Sequence, residues 1–192
     1  MARSFTEREK ERIRKSLQEA CKKSWTQYGY KKTSIDSLCG QAGISKGAFY
    51  LFFESKEALF CEVLCSVQKQ IYDAAAIMVG EQKNKYGIAE ALKFIYREYD
   101  KNNFLYDADT KDYAAMVNKL SEGQAQRMEE SSRMGKELFL CQPHLRLKVD
   151  ADMAMSVIYS LIMNIKNKDA LPHGHMETFD YMVDHLIGSL YE

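Results

Sequence analysis

Apolar residues recur at steps of three and four along most of the chain, and strand-like alternation is scarce, so the pattern predicts an all-α protein. The first stripe is Ile13, Leu17, Cys21, Trp25 and Tyr28. It predicts a helix from about Thr6 to Tyr28, closed by Gly29, a residue suited to a left-handed terminal position. Thr33, with Asp36 three residues on, reads as the cap of a second helix. The inner face of that helix is Ile35, Leu38, Cys39 and Ala42, and it stops at Gly43. Ser45 reads as the cap of a third helix, turned inward by Phe49 and Phe52. Ser55 reads as the cap of a fourth, with Glu57 in its first turn where the helix dipole favours negative charge. Leu59, Phe60, Val63, Leu64, Val67 and Ile71 carry that helix toward Met78.

The remainder divides less sharply. Periodicity predicts helices near Ile88–Lys101, Tyr113–Glu129 and Ser131–Cys141, with Asn102–Asp112 as either a loop or a short helix. Two further helices are expected at Asp150–Lys166 and Met176–Tyr191. The first of these is apolar on nearly every face. Such a helix is buried on most faces, and a neighbouring subunit is the simplest cover.

Net charge is zero, but its distribution is uneven. Residues 1–60 hold 12 Lys and Arg against 7 Asp and Glu, and the rest holds 15 against 20. A basic head on an acidic body suggests that only the head meets a polyanion. The five cysteines, Cys21, Cys39, Cys61, Cys65 and Cys141, are odd in number and mostly sit within apolar helical patterns. They read as reduced thiols of a cytoplasmic protein. The opening residues lack the apolar core of a signal peptide. The longest nearly apolar stretch, Met153–Ile165, is broken by Ser156, Ser160 and Asn164 and is too short to span a bilayer.

The two short helices around Gly43 carry the functional signal. In a helix-turn-helix the second helix enters the major groove while the first crosses the backbone. The second helix therefore needs small residues at its start, large apolar residues inward and hydrogen-bond donors outward. Ser45-Lys46-Gly47-Ala48-Phe49-Tyr50-Leu51-Phe52-Phe53 meets all three demands. Gly47 and Ala48 leave space, Phe49 and Phe52 anchor, and Ser45, Lys46 and Tyr50 supply donors.

With the run Gly29-Tyr30-x-x-Thr33-Ser34-Ile35-x-x-Leu38, then Ala42 through Tyr50, Phe52-Phe53, Ser55-Lys56-Glu57 and Leu59, the sequence resembles the TetR family of bacterial repressors. The likeness covers about a third of the chain. Cys39-Gly40 and Leu51 depart mildly from the family pattern; Gly40 should cost its helix roughly 0.5–1 kcal/mol. The resemblance implies phosphate contacts from Thr33, Ser34, Tyr50 and Lys56. It implies base contacts from Lys46, Gly47, Ala48 and Leu51, with Leu51 able to meet a thymine methyl. Capping alone would also explain Thr33, Ser45 and Ser55, and solvation alone would explain the two lysines.

The resemblance further implies a DNA-binding domain over 1–54 and a helical ligand-binding and dimerisation domain over 55–192. Val157, Ile158, Leu161, Ile162, Ile165, Phe179, Val183, Leu186, Ile187 and Leu190 are then expected to pack against a second copy in a four-helix bundle. The body holds nine of the twelve tyrosines and every methionine but Met1. Such side chains suit an apolar or amphipathic effector, although they serve equally as core. Phe94, Tyr99, Phe104, Tyr113, Met116 and Met134 are the candidate effector contacts. The expected partners are double-stranded operator DNA, a small-molecule effector and a second copy, with no membrane.

Enzymatic readings find little support. His173-x-His175 lies in a Pro-Gly-flanked stretch without an accompanying ligand, and Cys61 with Cys65 makes at most half a zinc site. No phosphate loop, nucleophile elbow or HExxH motif occurs. Neither cofactor nor metal is expected, and no catalytic residue is assigned. The function expected is a ligand-responsive regulator, a repressor released from DNA by its effector. The alternatives are an activator or corepressor-dependent regulator, or a helical ligand-binding or redox-sensing protein with a vestigial DNA head.

Overall fold

A computed structural model of the chain describes residues 5–106 and 111–192. All its named elements are helices: α1 (Glu7–Lys32), α2 (Ile35–Ala42), α3 (Lys46–Phe49), α4 (Lys56–Glu81), α5 (Lys85–Lys101), α6 (Lys111–Val117), α7 (Glu122–Leu140), α8 (Ala151–Met163) and α9 (His175–Leu190). Short 3-10 helices occupy Asn103–Leu105 and Asn164–Ala170. The all-α class read from the periodicity is the class observed.

The start signals act through their side chains. Thr6 and Glu9 form a reciprocal capping box on α1. Gly29 takes φ 78°, which breaks the regular helix where the sequence places its end, and the chain turns on to Lys32. The cap of α2 is Ser34, not Thr33: the Ser37 amide donates to Ser34 Oγ at 3.1 Å. Thr33 is unavailable because its own hydroxyl donates backward to the Gly29 carbonyl at 2.8 Å.

The predicted break near residue 130 is absent. Ser131 lies inside α7, buried, with its hydroxyl donating to Gln68 at 2.7 Å. The chain breaks earlier, between α6 and α7, where the Ser121 amide donates to Gln124 Oε1. Of the expected loop or short helix over Asn102–Asp112, Asn103–Leu105 is a 3-10 turn, and residues 107–110 lie outside the described residues.

The chain forms two compact units, residues 1–66 with 107–128 and residues 67–106 with 129–192. The division falls within α4 and within α7, so both helices contribute to both units. In the first unit α1 packs on α2 and α6, and α2 on α3. Its core holds Leu17, Cys21, Leu38, Phe49 and Leu59, all fully buried, with the Trp25 ring 4.6 Å from that of Phe60. In the second unit α5 packs on α9, and α9 on α8. Tyr96 stacks on Phe179 at 3.7 Å, Ile88, Leu92 and Ile95 of the same helix are fully buried, and Arg97–Asp180 and Lys93–Asp184 ion pairs join α5 to α9. No helix among the described residues is long and apolar enough to cross a membrane.

Candidate nucleic-acid interface

The site begins with the turn between α2 and α3. Gly43 takes φ 67°, a left-handed conformation that other residues rarely adopt, and its amide closes α2. The chain then reverses within two residues, and Ser45 accepts the Ala48 amide at 3.2 Å. α3 is a single named turn, prolonged by Leu51 and Phe52 amides that donate to the carbonyls of Ala48 and Phe49. Phe49 is wholly buried, with its ring edge-on to Tyr50 at 5.4 Å and 5.9 Å from Phe53. That anchor fixes which side of α3 remains outside.

The outward side carries Ser45, Lys46 and Gly47, all exposed, with Tyr50 52% and Leu51 72% accessible. Ala48 is half-buried. Ser34 is exposed at the start of α2.

Two expected phosphate contacts have inward-facing duties. Thr33 is 3% accessible, and its hydroxyl holds the Gly29 carbonyl. Lys56 is half-buried, donates to the carbonyls of Tyr30 and Thr33 at 3.0 Å each, and sits 3.9 Å above the Tyr30 ring. Burial lowers its pKa below the ordinary lysine value, with the neighbouring Glu57 charge opposing the shift. Lys56 thus fastens the α1–α2 turn to the start of α4. Beside it, the Tyr30 hydroxyl donates to Glu57. Burial would raise the Glu57 carboxyl, but that hydrogen bond and the Lys119 charge bring it below its usual range.

The periodic pattern gave no sign of Asp36 as a partner for α3. Its carboxylate accepts from Lys46 at 3.1 Å, raising the lysine pKa through that bond, so the one lysine on α3 is tethered. The ten-residue spacing of this pair has no periodic signature; only the turn at Gly43 brings it together.

The candidate effector residues divide between the units. Tyr113 and Met116, on α6, lie in the first. Phe94, Tyr99, Phe104 and Met134 lie in the second. There the Tyr99 hydroxyl meets that of Tyr72 at 3.2 Å, a partner the sequence did not single out. Tyr72 fits against Gly135, where an added Cβ would stand 3.1 Å from its ring.

The expected dimer residues also divide. Ile158, Leu161, Ile162, Ile165, Phe179, Val183, Ile187 and Leu190 are buried within the chain, where α8 and α9 pack on each other and α9 packs on α5, whereas Val157 is half-buried and Leu186 exposed. Helical periodicity alone cannot tell which apolar stripe faces which neighbour. A shallow groove of about 440 Å3 remains open on this helix pair, lined by Ser156, Val157, Ser160, Leu161, Asn164, Met182 and Leu186.

Residues 18–63 match the model of the bacterial regulatory proteins, tetR family. The chain is 40% identical over 62 residues to YhgD, an uncharacterized HTH-type transcriptional regulator of Bacillus subtilis (strain 168), covering 32% of each chain. It is 30% identical over 168 residues to YuxN, another uncharacterized regulator of that type from the same organism, covering 86% of this chain and 49% of that protein. The matched lengths are thus about a third and about half of these relatives. Among solved structures it is similar to FadR from Bacillus subtilis in complex with stearoyl-CoA, with a TM-score of 0.71, 13% identity, and coverage of 91% of this chain and 98% of that one. Escherichia coli NemR in its reduced form gives a TM-score of 0.67 at 18% identity, covering 93% and 97%. At these identities the structural likeness establishes the fold alone.

Proposed function

We propose that this chain, whose residues 18–63 match the model of the bacterial regulatory proteins, tetR family, is a ligand-responsive repressor of that family that binds operator DNA as a homodimer. One observation carries the reading: the outward edge of α3, with Ser45, Lys46, Gly47, Tyr50 and Leu51 exposed above a buried Phe49. In this reading the edge enters the major groove, Ser34 and Tyr50 hold phosphates, and Leu51 meets a thymine methyl. Lys46 exchanges Asp36 for DNA. Lys56 keeps its two carbonyls and offers its remaining N–H to a phosphate.

The second copy docks on the open groove of α8 and α9, where Val157, Met182 and Leu186 supply apolar surface. Two recognition helices then meet successive major grooves of a near-palindromic site. The effector is an apolar or amphipathic molecule held in the second unit. The tyrosine pair Tyr72–Tyr99 and the Gln68–Ser131 bond there support a ligand with a few polar groups on an apolar frame. The stearoyl-CoA bound by the similarly folded FadR is a ligand of that kind. Effector binding favours a dimer in which the two heads are wrongly spaced, and α4, which belongs to both units, transmits the change.

The test is selection of DNA from a random pool by the full chain, then titration of the winning site at several salt concentrations, with and without an acyl-CoA. Sequence-specific, salt-sensitive binding is expected, weakened by effector. Binding that shows no sequence preference would overturn the regulator reading. Equal affinities across a broad effector panel would overturn induction alone, and a gain in affinity would reverse its sign.

A further inference from the structure

A cleft of about 450 Å3 opens in the first unit between α1 and the turn that joins α2 to α3. Phe5, Glu9, Arg12 and Ser16 line one wall, and Ile44 and Ser45 line the other. Ser45 therefore belongs both to this cleft and to the outward edge of α3. The cations nearest Arg12 in sequence on either side are already paired, Lys10 with Glu7 and Arg14 with Glu62. Arg12 is exposed and, among the described residues, has no carboxylate partner. Ser16 is half-buried one turn further on, and its hydroxyl has no hydrogen bond among the described residues. Ser45 Oγ accepts the Ala48 amide at 3.2 Å and retains its own hydrogen to donate.

Donors beside apolar surface suit the backbone of a DNA strand. Arginine presents parallel N–H groups that match phosphate oxygens, and serine hydroxyls add further hydrogen bonds. Phe5 and Ile44, both half-buried, offer apolar surface to a deoxyribose. Glu9 would repel a phosphate at its own end of the cleft. Its Oε2 accepts the Thr6 amide at 2.9 Å and the Thr6 hydroxyl at 3.0 Å, which holds it at the start of α1. Ser16 stands about 10 Å farther along the helix axis, so the phosphate belongs at the Arg12–Ser16 end.

We propose that this cleft is a second contact with duplex DNA, in which Arg12 and Ser16 donate to one backbone phosphate and the adjoining deoxyribose lies on Phe5 and Ile44. The contact extends the DNA-facing surface from α3 onto α1. It sets the position of α3 in the groove and carries no base preference of its own. It rests on the reading of α3 as the element that enters the major groove.

The experiment takes the full chain and the site it selects from a random duplex pool, with affinity measured by fluorescence anisotropy across a salt series. Arg12→Gln should bind about tenfold more weakly than the parent and lose about 0.9 per protomer from the slope of log K against log salt. Lys22→Gln removes the same charge from an exposed position about 15 Å along α1, outside the cleft, and should keep the parent slope. Each phosphate of the site is then replaced in turn by a neutral methylphosphonate. One position in each half-site should weaken the parent about tenfold and leave Arg12→Gln unaffected, a coupling that a diffuse positive field would not produce. Equal losses of slope from Arg12→Gln and Lys22→Gln, or no position whose effect disappears with Arg12, would overturn the cleft contact while leaving α3 as the reader. A parent that selects no sequence would overturn that reading, and this contact with it.

Discussion

Replacing Lys56 by methionine separates two roles that one side chain could play. Methionine keeps an unbranched apolar stem and loses the charge. In the structure the ammonium donates to the carbonyls of Tyr30 and Thr33 and sits over the Tyr30 ring. Hydrogen bonds from a charged donor contribute roughly 1.5–3 kcal/mol each, and a cation over an aromatic ring about 0.5–1 kcal/mol at an accessible site. Their sum overstates the effect. The lowered pKa of Lys56 reports that desolvation opposes the charge, and water can reach part of this half-buried site. A net loss of about 1–2 kcal/mol is therefore expected, read as a fall in the urea midpoint with an unchanged denaturant slope. If Lys56 also holds a phosphate, operator affinity measured by fluorescence anisotropy should lose about 0.9 from the slope of log K against log salt. An unchanged urea midpoint would refute the fastening role. A midpoint that falls while the salt slope stays fixed would leave Lys56 structural and remove it from the DNA contacts.

Phe49→Ala should cost about 3–5 kcal/mol, because a fully buried ring is lost from the core of the first unit; a urea midpoint within error of the parent would refute the anchor. Leu186→Glu places a charge in the groove proposed for the second copy and should raise the dimer dissociation constant by more than about tenfold. Sedimentation velocity across a concentration series would show it, and an unaltered dimer would assign the interface elsewhere. Asp100 accepts from Lys168 at 2.6 Å and lies 3.4 Å from His175. Burial alone would raise its carboxyl, but the Lys168 bond and charge, with His175, hold it below the usual carboxylate range. Its folded pKa is thus lower than its unfolded one, so its contribution is complete above the ordinary carboxylate value and is lost as pH falls through the folded value. Urea midpoints followed into acid should fall more steeply in the parent than in Asp100→Asn; parallel curves would contradict the linkage.

Much of the site could be read from the sequence because its determinants are local. Gly43 demands a left-handed turn, Ser45 caps the helix after it, and Phe49 must point inward; each is settled within a few residues. Ser131 shows the opposite case. In sequence it reads as a helix start, yet it lies within α7 because Gln68, far away along the chain, satisfies its hydroxyl. Asp36 reads as a capping partner, and only the fold reveals it as the tether of Lys46. Lys56 reads as a free cation at a helix start, and the fold gives it two carbonyls and a ring.

The apolar stripes of α8 and α9 mark the same boundary. Their periodicity establishes that both are helices with buried faces. It is silent on which face meets the chain itself and which is left open, since Phe179 and Leu186 look equally apolar in sequence. Helices, most of their caps and the helix-turn-helix were legible in the order of residues, because interactions spanning a few positions produce them. Which polar groups are already paired, and which apolar surfaces remain uncovered, was settled in three dimensions, because those outcomes depend on side chains that only chain folding brings within contact distance.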